Sequence, residues 1–218
     1  MIDTRHLDDL PDVPTLRQLC QSLAILSPEW TYRYYSFNAR WSDGRMMASM
    51  RNGSGDEYRI LFNCSGAIIK GYAHETPLAA YHARLGVPYP GVMDHLPPEF
   101  ADFLAEPAFE PQVATFCLWR RTGDHAWHRG PVALPQGDDP DGSAYLLQML
   151  DGDPRTYRDW AQEYFELEPP EEREVALEGV ERIYRHEPLS DALVTLLDPS
   201  VQLADLADDV REIGYPQS

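Results

Sequence analysis

Five side chains between positions 51 and 74 have types and spacing that could do chemistry together. In RNGSGDEYRILFNCSGAIIKGYAHE, residues 51–75, two β-prone runs are separated by glycine-bearing turns and carry Arg51, Arg59, Lys70, Tyr72 and His74. If the runs pair as antiparallel strands in register, one sheet face gathers three permanent positive charges, a phenol and an imidazole. Such a row suits an anionic ligand, because guanidinium and ammonium donors make charge-assisted hydrogen bonds to carboxylate or phosphate. In the competing arrangement the acidic C-terminal helices fold over that face and pair with these bases. The row is then an internal electrostatic seam whose exposed pairs contribute only about 0–1 kcal/mol each.

The other constellations are weaker. His125 and His128 form an HxxH in GDHAWHRG beside Asp124. On a strand, residues three apart point to opposite faces, so joint metal ligation would need the turn to bend both rings inward. The run QGDDPDGS has the look of a calcium loop. Aligning Gly142 with that loop's glycine, however, puts Gly137 and Gln148 where acidic ligands belong, so the run reads as a polar surface turn. Carboxylates are dense in EYFELEPPEERE, but a general acid needs a partly buried carboxyl, and this run reads as a solvated helix face.

Cys20, Cys64 and Cys117 lie far apart in apolar settings without a CxxC pair, which predicts three buried, reduced thiols. A Schiff base or phosphate-loop mechanism would rest on Lys70, the one lysine beside seventeen arginines, and no glycine-rich loop precedes it. There is no GxSxG elbow, no GxxxxGK loop and no GxGxxG after a strand. No catalytic residue, metal site or cofactor is implied.

The elements that must position these residues follow from periodicity. VPTLRQLCQSLAIL, residues 13–26, has Leu16, Leu19, Cys20, Leu23 and Leu26 at helical spacing, with Asp12 as cap and Pro14 in the first turn. From Tyr32 to Glu75 the period becomes two, and the turns WSDGR, NGSGD and NCSG divide a four-stranded meander. Met46, Ala48, Met50, Tyr58, Ile60 and Phe62 share the face that packs on helices. Leu61 and Ile68 interrupt the polar face, which is therefore partly covered.

Residues 76–112 are loop-rich with short helical pieces, and VATFCLWRR with HAWHRGPVAL reads as a second hairpin extending the sheet. The remainder, from SAYLLQML onward, reads as successive helices. Tyr157, Trp160, Ala161, Tyr164 and Phe165 make a core-packing stripe on one of them. The expected fold is one α+β domain over residues 1–218. It has an antiparallel β-meander with an N-terminal helix, a sheet-rich half at 31–130 and a mostly helical, acidic half at 143–218.

LPPEFADFL, residues 96–104, resembles the LPxxFxxFL-type helix of SMI1/KNR4-like proteins, a group that includes bacterial immunity proteins against secreted toxins. The resemblance covers nine residues and lacks the Asn-Gly signal that follows that helix in the family. Its place after the meander also departs from the family order, so no residue role is carried over.

Charge separates the halves. Residues 31–130 carry ten bases against ten acids, whereas residues 131–218 carry six against twenty-one, a net of −15 out of the chain's −18. Such a field repels nucleic-acid phosphates and anionic lipid, and favours a basic protein as partner. With no apolar run of bilayer length and an acidic N-terminus, the expected location is the cytoplasm. The expected function is a non-catalytic acidic binding module, an immunity or regulatory protein. The alternative is an enzyme or small-ligand binder that uses the cationic row. Oligomeric state is not readable.

Overall fold

The structure, a computed structural model, describes residues 2–26, 33–165 and 174–217. The first helix, α1, spans Val13–Leu26. Its start is fixed by Asp12, whose carboxylate accepts from the Thr15 amide at 2.9 Å. Four hairpin-linked strands follow: β1 at Tyr35–Ser42, β2 at Arg45–Arg51, β3 at Glu57–Asn63 and β4 at Gly66–Tyr72. The turns behave as their composition dictates. Between β2 and β3 the Asn52 side chain accepts from the Ser54 and Asp56 amides, and Gly53 and Gly55 take the positive φ angles of 78° and 111°.

The second hairpin joins the same sheet. Strand β5, Phe116–Arg121, pairs antiparallel with β4, and the six strands run in chain order from β1 to β6. Gly66 is required at that junction, since a Cβ there would lie 2.1 Å from the Arg120 carbonyl oxygen. Strand β6 is shorter than expected. HAWHRGPVAL supplies only His128–Arg129 to the ladder, because Gly130 and Pro131 end the pairing.

Register assigns the two faces. Met50, Tyr58, Gly71 and Phe116 form one cross-strand row, and Ala48, Ile60, Ile69 and Leu118 the next. This apolar face carries α1 together with α4 (Ser143–Leu147), α5 (Pro154–Tyr164), α6 (Leu177–Tyr184), α7 (Asp191–Leu197) and α8 (Ala207–Ile213). Polar tethers hold the helical layer. Ser22 Oγ donates to the Ile183 carbonyl at 3.0 Å, Tyr157 Oη to Leu26 at 2.6 Å, and Gln21 Nε2 to Ile213 at 2.9 Å. In the aromatic stripe Tyr157 and Ala161 are buried and the Trp160 ring lies 4.8 Å from that of Tyr34, while Tyr164 is exposed. Residues 166–173, most of EYFELEPPEERE, lie outside the described residues.

The opposite face is covered by the chain between β4 and β5, not by the C-terminal helices. Helices α2 (Pro77–Leu85) and α3 (Ala101–Ala105), with Phe100, Phe103 and Phe109, close over Leu61, Ile68, Cys117 and Trp119 as a second core. The expectation that acidic helices fold over the polar row is thereby corrected. The C-terminal helices are already committed to the richer apolar face, and the β4–β5 connection carries its own aromatics to the other. Sheet and helices are organised as α+β, with the sheet between a helical layer and a thinner layer of short helices and turns. Among the described residues, no helix is long and apolar enough to cross a membrane.

Candidate functional site

The meander brings the expected row together in the expected register. Ser49, Arg59, Lys70 and Cys117 are cross-strand neighbours, and the next row holds Arg51, Glu57 and Tyr72. What differs is access. Lys70 is fully buried: its Nζ donates to Glu57 Oε1 at 3.0 Å and to the Phe109 carbonyl at 3.0 Å. Glu57 also accepts from Arg59 Nη2 at 3.1 Å, so one carboxylate bridges two bases on adjacent strands. Burial pushes the Lys70 amine below its ordinary range, and the Glu57 charge pulls the other way. The reacting atom of an amine nucleophile would have to reach a substrate, and this one is capped by the Phe109 backbone.

The remaining members spread outward. Arg51 is exposed at the end of β2. Tyr72 is half-buried, its ring edge-on to His82 at 6.2 Å between centres. His74 lies beyond the end of β4, where its amide and Nδ1 contact Asp56 Oδ1 at 2.8 and 2.7 Å. That hydrogen bond raises the imidazole above its usual pKa. Cys117, against Lys70, is buried, and burial pushes its thiol up to about 12. The five residues are therefore not one open cationic patch. They divide into a buried seam at Arg59 and Lys70 and separate surface positions at Arg51, Tyr72 and His74.

Glu57 was missed by counting bases alone. The sequence did hold the signal: the register that puts Arg59 opposite Lys70 puts Glu57 opposite Tyr72, one diagonal step from Lys70. A second correction concerns QGDDPDGS, which is not simply a surface turn. Asp141 is buried, accepting from Thr4 Oγ1 at 2.5 Å, the Ser143 amide at 3.0 Å and Ser143 Oγ at 2.7 Å. Neighbouring Asp139 accepts from the Ala144 and Tyr145 amides at the start of α4, at 3.0 Å each. A third concerns the thiols: Cys20 and Cys117 are buried, but Cys64 is exposed in the β3–β4 turn. His125 and His128 are both exposed, and no group of three metal-ligating side chains occurs among the described residues.

The helical layer presents the other feature of interest. Asp159 and Glu163 on α5, Glu174 and Glu178 at α6, Asp191 on α7 and Asp208 and Glu212 on α8 are all exposed. Asp209 turns inward to pair with Arg33. The helices that carry these exposed acids occupy one side of the sheet.

No match is found among known protein families, curated proteins or solved structures.

Proposed function

We propose that the chain is a cytoplasmic, non-catalytic binding module, an immunity or regulatory protein, whose exposed acidic helices engage a basic protein. The observation that carries this reading is the segregation of charge: twenty-one acids against six bases in residues 131–218, next to an electroneutral half. The described helices of that half pack on a single sheet face and expose Asp159, Glu163, Glu178, Asp191, Asp208 and Glu212. An acidic surface steers an oppositely charged partner and speeds its encounter more than it deepens affinity. Nucleic acid and anionic membranes are disfavoured by the same field. The seam at Lys70 adds support, since its reactive groups are consumed in packing.

The test is affinity capture from a native lysate, run with the chain and with a variant carrying Asp159→Asn, Glu163→Gln, Glu174→Gln, Glu178→Gln and Asp208→Asn. The expected result is a stoichiometric basic partner at low salt, released by raised salt and not retained by the variant. If the same proteins are retained by both forms at either salt, the acidic surface serves solubility alone and the reading fails.

A further inference from the structure

At the other end of the covered sheet face lies an open cleft of about 480 Å³, bounded by β5, β6 and residues 95–99. Its floor is Trp119, paired across the ladder with His128. Arg121 stands two residues further along β5 on the same face, and its partner on β4 is Gly66. The facing wall contains Pro97 and Pro98, whose rings fix the backbone, and His95, held at a left-handed φ of 63°.

The donors in this cleft are only partly used. Arg121 Nε donates to Asp124 Oδ2 at 3.1 Å, and its two Nη groups donate to no described residue. Arg129 Nη1 donates to the Val132 carbonyl at 3.2 Å and more loosely to Gly130 at 3.5 Å. Its ladder partner is Leu118 on the apolar face, so its side chain leaves β6 on the side away from Trp119 and Arg129 only borders the cleft. His128 Nε2 lies 3.4 Å from Asp124 Oδ2. Glu99 is the one acid lining the cleft itself. Asp124 neutralises part of Arg121, yet spare N–H groups come from β5, from β6 and from the 95–99 wall.

Donors converging from more than one side fit a tetrahedral oxyanion better than a flat carboxylate, and guanidinium forks match phosphate geometry. The volume falls within the span of small-molecule sites, about 300–1,000 Å³, and leaves room for an organic body beside the phosphate along Trp119 and Leu96. We propose that this cleft binds a small organic phosphate, with the Nη groups of Arg121 holding the phosphate and His95 and His128 donating at its rim. The site lies across the sheet from the acidic helices and stands independently of the partner they engage.

Phenyl phosphate is the probe, titrated against the full chain and followed by amide chemical shifts and calorimetry. Saturable binding is expected, with shifts centred on residues 95–99, 119–121 and 128–129. Arg121→Gln should weaken it by about tenfold, the loss expected for a charge-assisted bidentate contact. Glu99→Gln should tighten it, and Arg155→Gln, on the opposite side, should leave it unchanged. Arg121 and Glu99 are exposed, so their variants keep the test clear of misfolding. No saturation into the tens of millimolar, or equal weakening by Arg155→Gln, overturns the proposal.

Discussion

Replacing Glu57 by leucine should destabilise the protein more than replacing Glu57 and Lys70 together. Leucine approximates the shape of the glutamate stem but leaves the fully buried Lys70 ammonium without the carboxylate it touches at 3.0 Å. Removing one member of a buried pair typically costs about 3–5 kcal/mol, because the surviving charge stays desolvated. The side chain of Glu110 acts on Lys70 only at longer range and compensates weakly.

Lys70→Met alone deletes the charge itself. It leaves the Phe109 carbonyl without its donor, about 1–3 kcal/mol, while Glu57 keeps Arg59. The double variant removes both charges and should fall near the Lys70→Met value, below Glu57→Leu. Urea titration of the four forms, read from midpoints at constant slope, gives the coupling directly.

A pH series adds a sign. Lys70 in the folded state sits below its ordinary pKa, so from the folded value up to the ordinary range the unfolded chain binds more protons and stability rises with pH. Without Glu57 that rise should start at lower pH and be larger. If the single losses simply add in the double variant, or Glu57→Leu is nearly neutral, the seam is not the coupled ion pair described above.

Two further outcomes follow from the corrected turn and thiols. Burial raises the Asp141 carboxyl above its ordinary value, opposed by hydrogen bonds from Thr4 and Ser143. A raised folded pKa means that stability falls as pH climbs from the ordinary aspartate range through the folded value, so melting curves should show this descent and Asp141→Asn should flatten it. Among the three cysteines only Cys64 is exposed, and burial raises both Cys20 and Cys117. A thiol reagent should therefore modify one equivalent on the native chain and three after denaturation; rapid modification of a second native thiol would contradict the packing.

Much of the fold was legible because local signals agreed. Helix α1 has its cap, its proline and its apolar spacing in one stretch, and the four-strand meander has a glycine turn at each reversal. The alternation of Met46, Ala48 and Met50 against Tyr58, Ile60 and Phe62 specified which face meets the helices. What covers the other face was not legible, because two amphipathic sets competed for it. Residues 76–112 look loop-like one by one, and only Phe100, Phe103 and Phe109 taken together reveal a layer. The candidate row illustrates the same limit. Spacing placed Arg59 beside Lys70, but whether a base is open or sealed depends on a carbonyl from residue 109, which no local pattern announces. The cleft at Arg121 and Arg129 was hidden for a related reason. Its walls come from segments twenty or more positions apart in the chain.

The order of the strands also bears on how the chain assembles. The first four strands need only short hairpin reversals, so their pairing closes small loops at little entropic expense. The β4–β5 ladder spans the whole of residues 73–115 and forms only when that stretch has been gathered in. Kinetically, the meander can act as a template that exists early, and the seal over Lys70 as a late event. Until it closes, the one lysine of the protein is open to solvent and to any amine-directed chemistry it later escapes.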